Sequence, residues 1–181
     1  MKLTKEQWLI KGIDILTRFG AEQIKVDSLC KYIGVTKGSF YHHFKNRSEY
    51  INELLLYWQD ENTKGIIAKA NEGKSSGDKS DILDSLAMAA DVGPERAIRS
   101  WGQYDNNVGE FVKKVDLQRI NYLEMLISSQ NSEQLVDANL VAKLAYAHFV
   151  GCQQLTGVID KQEWTDMSLL LRQMFTDKTE K

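Results

Sequence analysis

The stretch GVTKGSFYHHFKNRSEY, Gly34 to Tyr50, decides how this chain is read. It opens on a glycine suited to end one helix and continues with Thr36, which can cap the next. The helix that follows, Lys37 to Phe44, puts Phe40 and Phe44 four residues apart on one face. Burying those two leaves Lys37, Ser39, Tyr41, His42 and His43 outward. Upstream, Asp27 can cap a short helix with Leu29, Cys30 and Ile33 on its inner side. Helix, glycine turn, short helix is the pattern of a helix-turn-helix, whose second helix enters the DNA major groove. The outward side chains offer a cation, hydroxyls and aromatic donors, the chemistry that meets phosphates and base edges. Lys45 and Arg47 lie just beyond, where Ser48 can cap a further helix whose free N–H groups face a phosphate. A solvated polar helix in an ordinary bundle fits the same residues, so two readings stay open.

Outward from this stretch the punctuation is helical. Thr4 with Gln7 makes a capping box, Leu3 and Trp8 a hydrophobic staple, and Gly20 a stop after Leu9, Ile13, Leu16 and Phe19. A long helix is expected from about Glu49 towards Asn71, with Ile51, Leu54, Leu55 and Trp58 inward. GKSSGDKS, Gly73 to Ser80, reads as a loop, and a short helix follows it. Gly93-Pro94 opens another helix, and a long one runs from Val108 to Ser128. Ser132 starts a helix over 133–159, and Glu163 to Phe175 closes the chain. With no strand alternation, the expectation is an all-α protein of about nine helices.

Composition narrows the class. Of 181 residues 43% are hydrophobic and 27% charged, enough for a core and against disorder. No apolar run approaches the roughly 18 residues of a membrane helix, and MKLTKEQW is too charged for a signal peptide. Cys30 and Cys152 form no motif, which suits a reducing cytoplasm. Up to Tyr57 nine Lys/Arg stand against six Asp/Glu; the remainder holds fourteen against nineteen. A basic front and an acidic remainder hint at nucleic acid on one side only. Adjacent helical residues point about 100° apart, so His42 and His43 cannot share a metal, and neither has a nucleophile and orienting carboxylate in view. His148 and Cys152 share a face at i, i+4, but two ligands make no metal site, and packing is favoured. No triad, metal motif, phosphate loop or cofactor signature appears, which argues against an enzyme on a helical bundle.

The segment from Ile13 to Leu54, and residues 34–50 above all, resembles the DNA-binding part of the tetracycline-repressor (TetR-type) family. That pattern has Gly-Val-Ser/Thr at the turn, Lys-Gly before the recognition helix, and a Tyr-x-His-Phe-Lys ending. Here it stands as Gly34, Val35, Thr36, Lys37, Gly38, Tyr41, His43, Phe44 and Lys45. Residues 101–126 resemble the family's ligand-domain core more loosely. The resemblance implies DNA contacts at Thr36, Lys37, Ser39, Tyr41, His42, His43, Lys45 and Arg47. Val26 and Asp27 depart from it, because many members place a Thr and often a basic residue there. Asp27 would repel a phosphate, so no contact is expected from it.

Trp58, Met88, Trp101, Tyr104, Tyr122 and Met125 are an aromatic and methionine set that can be core or can line a cavity for an apolar or aromatic effector. The resemblance favours the cavity. Leu144, Ala145, His148, Phe149 and Cys152, with Trp164, Met167, Leu171 and Met174, form stripes wider than one partner helix needs. That suggests an intermolecular four-helix bundle, and the resemblance makes these the dimer helices. The expectation is a helix-turn-helix three-helix domain over 1–48 and a ligand-binding and dimerisation domain over 49–181. It describes a cytoplasmic, homodimeric regulator, a repressor of transcription, whose partners are a double-stranded DNA operator and a small-molecule effector. A helical small-molecule-binding protein without DNA affinity is the alternative.

Overall fold

A computed structural model describes residues 3–130 and 137–176, and among them the regular elements are all helices. In chain order these are α1 (Lys5–Phe19), α2 (Val26–Ile33), α3 (Lys37–His43), α4 (Arg47–Gln59) and α5 (Gly65–Ala70). They are followed by α6 (Ser76–Ala89), α7 (Val92–Gly102), α8 (Asn106–Gln130), α9 (Ala138–Gln154) and α10 (Lys161–Thr176). A π-helical turn, Asp60–Lys64, joins α4 to α5 without a break, so the ten segments make nine rods.

The caps explain where several helices begin. Thr4 and Gln7 form the expected reciprocal box at α1, and Leu3 and Trp8 are both buried beside it. Gly20 ends α1 at φ +78°. Phe19 does not join the inner face: it is 53% exposed, its ring edge against Tyr32. Asp27 is not the cap of α2, because the helix starts one residue earlier and leaves Asp27 in its first turn. Nor does Ser48 cap α4. Asn46 accepts from the Glu49 N–H at 2.9 Å, and the Glu49 carboxylate accepts from the Lys45 backbone N–H. The loop expected over residues 73–80 is shortened because Ser75 and Asp78 make a capping box that starts α6 at Ser76. Asp91 caps α7 through the Gly93 N–H, leaving Pro94 within the first turn. Ser132 and residues 133–136 of the expected helix lie outside the described residues; α9 is capped by Asp137 and stops at Gln154, before a turn at Gly157, φ +97°.

The chain packs as two compact units, one of residues up to Gly65 with Asp91–Val115, the other of Ile66–Ala90 with residues from Asp116 onward. This partition follows packing and does not coincide with a functional division at residue 48. In the first unit α1 packs against α2, α4 and α7 around Trp8, Ile15, Leu16, Leu54, Trp58 and Ile98, all buried. α1 and α4 approach closely because position 12 is glycine. The Tyr50 hydroxyl donates to the Trp8 carbonyl at 3.1 Å, and a Cβ on Gly12 would meet that hydroxyl oxygen at 1.9 Å. Gly12→Ala is therefore expected to displace Tyr50 and cost about 1–3 kcal/mol of stability, read by urea denaturation. Adding Tyr50→Phe should recover part of the loss, and equal stability of Gly12→Ala and wild type would contradict this packing.

In the second unit, Ser76 meets Ser129 at 2.7 Å, tying α6 to the end of α8. The Tyr146 hydroxyl donates to Asp116 at 2.6 Å, and Phe149 packs on Trp164 with ring centroids 5.8 Å apart. Arg172 of α10 donates to Asp81 at 2.6 Å and to Asp84 at 2.5 Å. Burial pushes the Asp84 carboxyl up from its usual range, and the Arg172 guanidinium opposes that.

Candidate nucleic-acid interface

The turn between α2 and α3 has a specific cause. Gly34 sits in the left-handed region, φ +77° and ψ +38°, and both its N–H and that of Val35 donate to the Cys30 carbonyl. A side chain at position 34 would be strained in that conformation. The next helix therefore leaves at an angle, with Thr36 in the N-cap position; its hydroxyl does not cap the helix and is left outward.

α3 has only seven residues, too few to be stable alone, so aromatic packing holds it. Phe40 is fully buried, its ring 5.5 Å from Trp8 edge-on, 5.3 Å from Phe44 and 5.5 Å from Tyr50. Phe44, just past the helix end, is buried too and meets Tyr50 at 4.9 Å, nearly perpendicular. Trp8 lies on α1 and Tyr50 on α4, so these two helices supply aromatic packing that holds α3.

The opposite face is polar and open. Lys37, Tyr41, His42, Lys45 and Arg47 are exposed, and Ser39 is half-buried. Tyr41 is 55% exposed while its ring edge rests on Phe40 at 5.4 Å, which limits the directions its hydroxyl can take. Three of the expected contact residues also have structural partners. His43 is half-buried, its Nε2 2.8 Å from the Leu3 carbonyl, so this nitrogen carries the proton there and ties the N-terminal segment to α3. Arg47 donates from Nε to the Ile24 carbonyl at 2.5 Å while its side chain stays in solvent. The feature that sequence reasoning missed is the ion pair of Lys37 with Asp27, Nζ to Oδ1 at 2.5 Å. The hydrogen bond that the Lys37 ammonium donates to Asp27 holds the lysine above its usual range.

The other candidate residues are distributed differently from the helix-turn-helix set. Trp58, Trp101 and Tyr104 belong to the first unit, and Met88, Tyr122 and Met125 to the second. Trp58 and Trp101 are buried, Met88 and Tyr122 half-buried, Tyr104 and Met125 exposed; the Tyr122 hydroxyl donates to Asn71 at 3.0 Å. On α9 and α10, Cys152 and Trp164 are buried within their own unit, and Ala145, His148, Phe149 and Leu171 are half-buried. The apolar side chains left outward are Leu140 and Leu144 on α9, Leu155 just past its end, and Met167, Leu169, Leu170 and Met174 on α10. His148 meets Ser168 at 3.1 Å, and the Cys152 sulfur is 3.7 Å from its Nδ1. Burial raises the Cys152 thiol and lowers His148, so both are neutral near pH 7. Among the described residues no three His, Cys, Asp or Glu side chains gather as a metal site, and no helix is long and apolar enough to cross a membrane.

No protein-family model matches the sequence, and no curated protein matches it. Solved structures do match in fold. A proposed transcriptional regulator from Pseudomonas aeruginosa PAO1 is similar at TM-score 0.79 and 12% identity, over 96% of this chain and 90% of that one. A proposed TetR-family transcriptional regulator from Rhodococcus sp. is similar at TM-score 0.76 and 18% identity, over 94% and 97%. GusR of Salmonella enterica is similar at TM-score 0.72 and 19% identity, over 98% of each chain. The chain thus has the all-helical fold of TetR-type regulators, with the helix-turn-helix near its N-terminus.

Proposed function

We propose that the protein is a cytoplasmic DNA-binding transcriptional regulator of the TetR type, a homodimeric repressor released from an inverted-repeat operator by a small-molecule effector. The observation that carries this reading is α3: a helix too short to stand alone, anchored by Phe40 and Phe44, with Lys37, Tyr41 and His42 turned to solvent. A helix held this firmly and left this polar suits insertion into a groove. Thr36, at the N-cap, with Lys37 and Ser39 in the first turn of α3, would meet base edges. Tyr41, Lys45 and Arg47 serve phosphates, and His43 contributes by holding the N-terminal segment against α3.

Binding to duplex DNA, followed by fluorescence anisotropy over a salt series, tests the assignment. Lys45→Ala should weaken binding to all sequences about equally and reduce the salt slope by about one unit, as expected for one lost phosphate contact. A change of base preference at one position would instead make Lys45 a base reader.

The exposed Leu140 and Leu144 on α9, with Met167, Leu170 and Met174 on α10, support self-association, which would take these apolar side chains out of water. The effector belongs to the helices beyond the helix-turn-helix and acts by disfavouring the DNA-bound arrangement. Linkage then requires operator to weaken effector binding by the same factor. A compound that binds tightly and leaves operator affinity unchanged is not that effector.

A further inference from the structure

We infer that Asp27 is a positioning and specificity residue of the DNA interface, holding the Lys37 ammonium on the first turn of α3 so that it reads a base edge and adds little to general phosphate affinity. This inference rests on the DNA-binding reading above. It starts from an ion pair that the fold does not need. Asp27 Oδ1 and Lys37 Nζ are 2.5 Å apart, yet the two side chains are 74% and 60% exposed. Pairs this open add little to stability, because water screens them and ordering two side chains opposes the gain. Their placement is nonetheless particular: one partner is in the first turn of α2, the other is the first residue of α3. In a helix-turn-helix that end of the second helix lies against the base edges.

The electrostatics separate two kinds of target. A free lysine at this point would be drawn to any phosphate, whatever the sequence. Beside Asp27 the ammonium has little net field at a distance, and a phosphate that approaches it also meets a carboxylate. A guanine edge carries no net charge, so it is not repelled in that way. The ammonium has three N–H donors; Asp27 uses one, which leaves two for the O6 and N7 acceptors of a guanine. The carboxylate therefore selects against the backbone and in favour of a neutral acceptor. An alternative role for Asp27, favourable interaction with the N-terminus of α2, would not depend on Lys37 at all.

The test uses the full-length protein, random-sequence duplex, and the duplex that the wild type enriches from a random pool. Asp27→Asn should bind random duplex about tenfold more tightly near 0.1 M salt, steepen the salt slope by about 0.9, and lower the ratio of selected to random affinity by about tenfold. Asp27→Glu should keep wild-type values. In a Lys37→Met background, Asp27→Asn should leave the salt slope unchanged, since no ammonium remains to be released. If the slope and ratio of Asp27→Asn match wild type, or if the change is equally large without Lys37, the inference is overturned while the DNA-binding reading stands. If the wild type enriches no duplex at all, both fall.

Discussion

Phe40→Ala is expected to destabilise the helix-turn-helix by about 3–5 kcal/mol and to abolish sequence-specific binding. The cost follows from the site: the ring is fully buried and packs on Trp8, Phe44 and Tyr50, so truncation opens a cavity where three other aromatic rings meet. Domains are stable by only about 5–15 kcal/mol, so this loss is a large fraction. α3 is seven residues long and has no other deep anchor along its length, since Phe40 is its one buried residue. Urea denaturation followed by circular dichroism measures the stability, and anisotropy on a selected duplex measures binding. Phe40→Leu, which keeps most of the volume, should retain both better. A Phe40→Ala protein within 1 kcal/mol of wild type would contradict the anchoring role.

Leu144→Glu is expected to split the dimer while leaving each subunit folded, lowering specific DNA affinity by about a thousandfold or more, to the non-specific level. Leu144 is 47% exposed in the single chain, so a carboxylate there meets water and disturbs its own subunit little. In a two-fold seam the same change buries two carboxylates without partners, which the interface cannot tolerate. Phe149→Glu would be a poor substitute, because Phe149 stacks on Tyr146 and packs against Trp164 within the subunit. That variant would destabilise its own subunit as well. Light scattering gives the assembly state, and circular dichroism checks folding. A Leu144→Glu protein that stays dimeric would move the seam elsewhere.

The elements that sequence reasoning reached most easily are those whose signals are local. Thr4 with Gln7, Gly20, and Gly34 between two apolar-faced helices each announce a boundary within four residues, and Phe40 and Phe44 announce the buried face of α3. The misses are of two physical kinds. Where two cappers compete, neighbours choose: Asn46 outdoes Ser48 because the Glu49 N–H reaches its side chain while the Glu49 carboxylate holds the Lys45 N–H, and Ser75 starts α6 early because Asp78 reciprocates its cap. Where a residue's role depends on a distant segment, spacing is silent. His43 reads as an outward donor until Leu3 is brought to it, and Asp27 reads as a cap or a repulsive charge until Lys37 is. Periodicity on α9 located the apolar stripe but could not say which edge the chain covers itself; α10 covers Phe149 and leaves Leu144 outward.

The central claim is that two copies of α3 read a symmetric site on duplex DNA. Its most direct test is selection of bound duplexes from a random pool by the wild-type protein, at near-physiological salt, with sequencing of what is retained. The account predicts an enriched inverted repeat, its half-sites about 34–36 Å or a multiple apart, bound by dimers. No enrichment over the starting pool, or an enriched site without two-fold symmetry bound by a monomer, would contradict it.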